Sequence, residues 1–209
     1  MNWLIDCLCN HEGCLAWLTP EGIAVLYPEC TKSVPYSRKS AVLLAEKALE
    51  RLNQIAPSLS VRCGVSHPVG RPITLAELYG QSLAAARYGP TLLGLRAVYH
   101  WQELGACQFV VRDIHSPMST QFVEAQLGPL LSLRSNDKRS ELLRTLEEIV
   151  THASVETIGK RLNIVSKTVR YRKRNLEKLL GVSLDSIEVL SSLSLALKIR
   201  SITRRDVEQ

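Results

Sequence analysis

The stretch that decides the fold is residues 155–180, which read VETIGKRLNIVSKTVRYRKRNLEKLL. Its first part predicts a short helix that is apolar on one side and that Ser154 can cap. Gly159 lies in the middle of this helix, where glycine costs about 1 kcal/mol relative to alanine, so a second helix is expected to approach closely there. Asn163 adopts a left-handed turn at little cost, and Ser166 can cap the next helix. Two helices joined by a tight turn are therefore predicted.

The second predicted helix, Ser166–Leu180, has two opposed faces. At about 100° per residue, one side collects four apolar residues, which are Val165, Val169, Leu176 and Leu180. The opposite side collects four cations with a tyrosine beside them, and these are Lys167, Arg170, Tyr171, Arg174 and Lys178. Residues 160–174 include seven basic residues and no acidic one. A helix of this width fits the major groove of DNA, so the pattern predicts a helix-turn-helix.

The predicted DNA-binding residues lie on this surface, and they are Lys160, Ser166, Lys167, Thr168, Arg170, Tyr171, Arg172, Arg174 and Lys178. The N-terminal residues of such a helix lie nearest the base edges, and later basic residues lie near phosphates. This rule places Lys167, Thr168 and either Tyr171 or Arg170 near bases. It places Lys160, Arg172 and Arg174 on the backbone. A helical hairpin with a solvated basic face is the alternative interpretation.

Charge is concentrated in the last third of the chain. The protein has 209 residues and a formal net charge of +6. Residues 1–137 carry 11 basic and 11 acidic residues, whereas residues 138–209 carry 15 basic and 9 acidic residues. A local basic excess indicates a polyanionic partner, with nucleic acid as the first candidate, although a solvated helical face would have the same charge.

The composition is that of a folded protein without a membrane segment. No run of about 18 apolar residues exists, and the N-terminus lacks a basic lead and contains Asp6, so neither a membrane span nor a secretory signal is predicted. We therefore expect a cytoplasmic location and no membrane partner. The six cysteines are then expected to be reduced, mostly buried thiols.

Residues 142–202 resemble the C-terminal domain of the PucR/CdaR regulators. The resemblance rests on TVRYR at residues 168–172, LEKLLG at residues 176–181 and LAL at residues 195–197, in the family's order and spacing. It implies a DNA-binding domain in a transcription regulator, often an activator of catabolic genes. The family usually has His-Arg-Asn before Thr168, whereas this chain has Val165-Ser166-Lys167. The operator sequence is therefore not inferred from the resemblance.

The fold class predicted for the whole chain is α+β, with an α/β sheet domain at residues 1–115 followed by an all-α helix-turn-helix domain at residues 120–209. A linker containing Pro117 is expected at His115–Ser119. In the first domain the pattern predicts a hairpin around residues 19–22 and helices at Ser40–Ile55 and Thr74–Tyr88, the second stopped by Gly89-Pro90. Further strands are predicted at Leu59–Val65, Ala97–Trp101 and Cys107–Val111. In the second domain helices are predicted at Gln121–Leu131, Asp137–His152, Ser154–Leu162, Ser166–Leu180 and Ser186–Ile202.

The N-terminal domain is also similar to the degenerate GGDEF-like domain of the CdaR branch. The similar segments are Gly22–Pro28, Val61–Gly64, Leu78–Ala86 and Val98-Tyr99. A cyclase of that fold has Gly-Gly-Asp/Glu-Glu-Phe at the hairpin, whereas this chain has TPEGI at residues 19–23. The resemblance therefore implies a domain without cyclase activity. Because little chain precedes Cys14, it also implies a shortened domain or the tail of a longer regulator.

No catalytic residue, cofactor or metal ion is predicted. Cys7, Cys9, His11 and Cys14 are ligand types that suit zinc, but their spacing lacks the usual two-residue gap, and buried thiols are the expected alternative. No nucleophile motif and no glycine-rich phosphate loop occurs. The chain is therefore expected not to be an enzyme.

Double-stranded DNA is the predicted partner, and a homodimer is the predicted assembly because one small helix-turn-helix rarely supplies enough affinity alone. A small-molecule effector would act through a sensor domain that is not evident in this sequence. Two other functions stay open. One is a nucleotide-sensing or nucleotide-converting protein that uses the N-terminal domain, which GTP turnover would favour. The other is an adaptor whose basic helix binds an acidic protein, which indifference to DNA at low salt would favour.

Overall fold

The computed structural model describes residues 14–27, 37–67 and 74–208. The chain divides into two compact units, an N-terminal unit that ends at Gln108 and a helical unit that begins at Phe109. The N-terminal unit contains β1 (Leu15–Thr19), β2 (Gly22–Leu26), α1 (Arg38–Ile55), β3 (Cys63–Val65), α2 (Leu75–Leu93) and β4 (Val98–His100), and a 3₁₀ segment (Trp101–Phe109) follows β4. The helical unit contains α3 (Pro117–Leu131), α4 (Asn136–Thr151), α5 (Val155–Leu162), α6 (Ser166–Leu180) and α7 (Ile187–Glu208).

The predicted hairpin is confirmed as the antiparallel pair β1 and β2. Thr19 lies opposite Gly22, so Pro20 and Glu21 form a two-residue turn. The backbone N–H of Gly22 donates to Thr19 Oγ1 at 3.1 Å, and that hydroxyl donates to the Gly22 carbonyl at 3.2 Å. The threonine side chain therefore supplies part of the hydrogen bonding that closes the turn.

The prediction of one layered α/β sheet is wrong for the described residues, which form two separate two-stranded sheets. The second sheet pairs β3 with β4 in parallel, and α1 and α2 pack against it. Gly64 in β3 lies so close to α2 that an added Cβ would meet the Ser82 carbonyl oxygen at 1.8 Å. The predicted strand Leu59–Val65 shortens to these three residues of β3, and the predicted strand Cys107–Val111 is replaced by the 3₁₀ segment and a turn.

Helix α2 begins as predicted but ends later. Thr74 caps it in a reciprocal capping box with Glu77. The expected stop at Gly89-Pro90 is wrong, because the helix continues through both residues to Leu93 and ends at Gly94. Gly89 is buried against the ring of Tyr99, where a Cβ would lie 2.3 Å from a ring carbon. Close packing of α2 on β4 thus explains why residue 89 is a glycine. It also explains why the helix continues where local propensity predicts that it ends.

His100 at the end of β4 is a fully buried histidine. Its backbone N–H donates to Glu103 Oε2 at 3.2 Å, and its Nδ1 accepts the N–H of Gln102 at 3.2 Å. Burial, together with the nearby ring of His67 at a centroid distance of 5.6 Å, lowers the pKa of His100 from 6.5 to about 4. The folded N-terminal unit therefore holds this imidazole neutral in mild acid.

Mild acid is consequently expected to destabilise the N-terminal unit. As the pH falls from 6.5 toward 4, the unfolded chain binds a proton that the folded unit does not bind. The free energy of unfolding then decreases by up to about 3 kcal/mol. The three tryptophans, Trp3, Trp17 and Trp101, all precede the helical unit, so their fluorescence during urea unfolding follows the N-terminal unit. The His100→Asn variant, which keeps an acceptor near Nδ1, should lose most of this pH dependence, and a variant with undiminished dependence would show the explanation to be wrong.

The helical unit buries one continuous apolar core between its five helices. Its centre is formed by residues from every helix, which include Leu127, Leu130, Leu142, Leu146, Ile158, Val169, Leu176, Leu193 and Ala196. Helix α3 starts at Pro117 with Ser116 as its cap, earlier than predicted, because proline is favoured in the first turn of a helix. The C-terminal half of the predicted linker His115–Ser119 is therefore helical. Among the described residues, no helix combines the length and the apolar composition that crossing a bilayer requires.

Candidate nucleic-acid interface

The turn between α5 and α6 has the geometry that its sequence predicts. Ser154 caps α5, with its hydroxyl accepting the Thr157 N–H at 3.4 Å. Asn163 ends α5 in the left-handed region at φ 56° and ψ 45°, and the Ile164 N–H returns to the Gly159 carbonyl at 2.9 Å. Gly159 is buried against this turn, where a Cβ would lie 2.7 Å from the Ile164 carbonyl oxygen. Glycine at this position thus permits the close approach that sets the angle between the two helices.

Helix α6 presents its apolar side to the core of the helical unit. Val169 and Leu176 are 1% and 0% exposed, and Leu180 is half-buried. The expected apolar position at Val165 is wrong, since this residue is 68% exposed. Val165 is the N-cap of α6 and has extended backbone angles, so helical spacing does not apply to it. The predicted cap at Ser166 is also wrong, because Ser166 is the first helical residue and no side chain caps α6.

The opposite side of α6 is solvent-exposed and basic. It carries Lys167, Arg170, Tyr171, Arg174 and Lys178, and Lys160 on α5 is exposed as well. Lys160, Lys167, Arg174 and Lys178 form no ion pair with any residue in the described part of the chain. We give the name cation face to the six exposed residues Lys160, Lys167, Arg170, Tyr171, Arg174 and Lys178. The predicted residues Ser166 and Thr168 lie beside it and are half-buried.

Two cations on the flanks of α6 form ion pairs with other residues of the helical unit. The guanidinium of Arg172, only 17% exposed, pairs with Glu141 of α4 and donates to the hydroxyl of Thr145, a fully buried residue, at 3.4 Å. On the other flank, Lys173 Nζ lies 2.5 Å from Asp185 Oδ1. These contacts tie α6 to α4 and to the connection before α7, and the predicted phosphate contact of Arg172 stays a prediction.

Two acidic residues complete the surroundings of α5. Glu148 of α4 accepts from Arg161 Nε at 2.6 Å and lies 3.4 Å from His152 Nε2. Glu156, in the first turn of α5, lies 3.8 Å from Arg170 Nη2 and accepts from the Ser154 hydroxyl at 2.9 Å. Sequence reasoning omitted Glu156 from the site. The sequence did contain a signal for Glu156, which is a carboxylate two residues after the capping Ser154, on the helix that precedes the basic helix α6.

Metal-binding groups do not add to this site. Among residues 14–27, 37–67 and 74–208, no group of three or more His, Cys, Asp or Glu side chains is arranged to hold a metal ion. Of the four candidate ligands considered from sequence, Cys7, Cys9 and His11 lie outside the described residues. Cys14 and Cys63 are half-buried, and Cys107 is buried.

A short helix, a left-handed turn and a second helix with a buried apolar side and an exposed cation face define a helix-turn-helix domain. Comparison with known families gives the type of this domain. Residues 142–199 match the PucR C-terminal helix-turn-helix domain. The match of this domain supports a DNA-binding transcriptional regulator. It does not extend into residues 1–115, and the GGDEF-like interpretation of that region receives no support from it. No curated protein and no solved structure matches the chain significantly.

Proposed function

We propose that this protein regulates transcription by inserting α6 into the major groove of double-stranded DNA. The observation that carries the proposal is the division of α6 into two sides. Val169 and Leu176 are buried in the core, so the side with Lys167, Arg170 and Arg174 is the one available to a ligand. A rigid helix whose free side is basic suits the groove in shape and charge.

The turn of the motif would act as the fixed support of this helix. Asn163 ends α5 within one residue, and Gly159 lets the chain of the turn pack against α5. The exposed residues Lys160 on α5 and Lys178 near the end of α6 would contact phosphates on either side of the groove. Lys167, Thr168 and either Tyr171 or Arg170 would lie nearest the bases because they are in the first two turns of α6.

The finer parts of the proposal rest on the resemblance of the C-terminal domain to PucR-type domains and on general properties of DNA-binding proteins. We infer a homodimer, because paired half-sites multiply the affinity of a single small motif. We further propose that the protein activates metabolic or catabolic genes, a role that the resemblance of its C-terminal domain to PucR-type regulators suggests. Control by a small-molecule effector and action in the cytoplasm belong to the same proposal. No catalytic role is proposed for either unit.

The proposal predicts that DNA binding is strongly salt-dependent. Each phosphate that a cation neutralises contributes about −0.9 to the slope of log K against log salt, so the three unpaired cations placed at phosphates, Lys160, Arg174 and Lys178, predict a slope of roughly −3 for each subunit. The measurement is the fluorescence anisotropy of a labelled random-sequence duplex, titrated with the full chain between about 50 and 200 mM salt. Absence of binding at the low-salt end would contradict the proposal and favour an acidic protein as the partner.

A further inference from the structure

Glu156 is an acidic side chain within an otherwise basic surface. It is in the first turn of α5, where the Ser154 hydroxyl donates to one carboxylate oxygen at 2.9 Å. Its other oxygen lies 3.8 Å from Arg170 Nη2, and both side chains are about two-thirds exposed, at 65% and 60%. The N–H of its own backbone and the Ser154 hydroxyl hold the pKa of Glu156 below its ordinary value. The group is therefore a fixed negative charge at neutral pH.

A fixed negative charge in this position opposes sequence-independent binding. In a helix-turn-helix complex the first helix crosses the phosphate backbone, so a carboxylate in its first turn repels the duplex. Exposed ion pairs contribute little to the stability of a fold, so stability does not account for the Glu156–Arg170 pair. The carboxylate of Glu156 is therefore expected to act on DNA recognition through Arg170.

The pairing also changes which part of DNA suits Arg170. An arginine beside a carboxylate is a weaker phosphate anchor than an unpaired cation, but its planar guanidinium keeps several N–H donors. The guanine edge offers two acceptors, O6 and N7, to a guanidinium. Arg174 has no such acidic neighbour among the described residues and keeps its full charge for phosphates.

We propose that Glu156 is a positioning residue that aligns Arg170 on a guanine edge of the operator. The pair would set sequence specificity, whereas the unpaired cations of the cation face would supply affinity for any duplex. This inference rests on the proposed function, and it assigns Arg170 to bases, a role that sequence spacing left open between Arg170 and Tyr171.

The test compares specificity between variants of the full chain. Duplexes that the wild-type chain enriches from a random pool supply the specific probe, and a shuffled duplex of the same length supplies the non-specific probe. In Glu156→Gln, binding to the shuffled duplex should strengthen, and the ratio of specific to non-specific affinity should fall at least about 5-fold. In Arg170→Ala the ratio should fall roughly 5- to 150-fold, with loss of preference at one G·C pair. Arg174→Ala should instead weaken both probes together and reduce the salt slope by about 0.9.

Glu188 provides a matched control. It repeats the local arrangement at the start of α7, where the Ser186 hydroxyl donates to its carboxylate at 2.8 Å, and the same kinds of donor lower its pKa. Glu188→Gln removes an equivalent charge but should leave the specificity ratio unchanged.

The outcomes separate the two levels of the argument. If Glu156→Gln keeps the wild-type specificity ratio and the wild-type base preference, or if Glu188→Gln changes the ratio equally, the positioning role is wrong although DNA binding stands. If the wild-type chain enriches no sequence and binds no duplex at low salt, the proposed function itself fails.

Discussion

Replacing Gly159 with alanine is expected to destabilise the helical unit by about 1–3 kcal/mol, although alanine is the better helix former. An added Cβ would lie 2.7 Å from the carbonyl oxygen of Ile164, closer than such atoms approach in proteins. The obstructing atom belongs to the backbone of the turn and cannot rotate away like a side chain. The turn must therefore shift, and α6 would shift with it. We expect the unfolding temperature of the helical unit to fall by at least about 4 °C, and DNA affinity to fall with it.

Gly80 provides the control for this substitution. It lies inside α2 of the N-terminal unit, and an added Cβ would meet no atom within 4 Å. Gly80→Ala should therefore stabilise that unit by up to about 1 kcal/mol through helix propensity alone. Thermal unfolding followed by far-ultraviolet circular dichroism measures each variant against the wild type, with tryptophan fluorescence reporting the N-terminal unit separately. If Gly159→Ala stabilises its unit as Gly80→Ala stabilises the other, close packing does not explain the glycine at position 159.

The helix-turn-helix was predictable because its signals are local. The spacing of Val169 and Leu176 predicts their common buried side, and the type of Asn163 predicts the left-handed turn. Each signal acts within about two helical turns, a range over which spacing determines direction. For the same reason, the exposed positions of Lys167 and Arg174 agree with the sequence pattern.

Local spacing does not predict contacts with distant partners or the positions of residues at a helix boundary. The ion pair of Arg172 is an example, because its partner Glu141 is 31 residues away and approaches only when α4 packs on α6. Val165 fits the apolar spacing but precedes the helix, so its side chain points to solvent. The pairing of Arg170 with Glu156 likewise depends on the angle between two helices, which helical periodicity does not encode.

The N-terminal unit was less predictable because its contacts are mainly non-local. The parallel pair of β3 and β4 joins residues 35 positions apart, with Cys63 opposite Val98, and α2 lies between them in sequence. Pro90 predicts a helix end by local rules, but the contact of Gly89 with Tyr99 keeps the segment helical. An apolar run such as Leu59–Val65 indicates where a strand lies, but it does not show that only the last three residues pair with another strand.

Removing Arg170 and Arg174 together tests the cation face as the DNA-binding surface. Both side chains are exposed and neither contributes to the core, so Arg170→Ala with Arg174→Ala should leave the circular dichroism spectrum and the unfolding temperature nearly unchanged. Arg134→Ala with Lys138→Ala is the matched control, because it removes the same charge from exposed positions at the start of α4 and in the connection before it.

The decisive measurement is an anisotropy titration of the duplex enriched by the wild-type chain, made with the wild type, the double arginine variant and its control at one salt concentration. We predict that the arginine variant loses about 100-fold or more in affinity, as expected when one base contact and one phosphate contact disappear together. The control should bind within a few-fold of the wild type. Wild-type affinity in the arginine variant, or an equal loss in the control, would contradict the assignment of DNA binding to this face of α6.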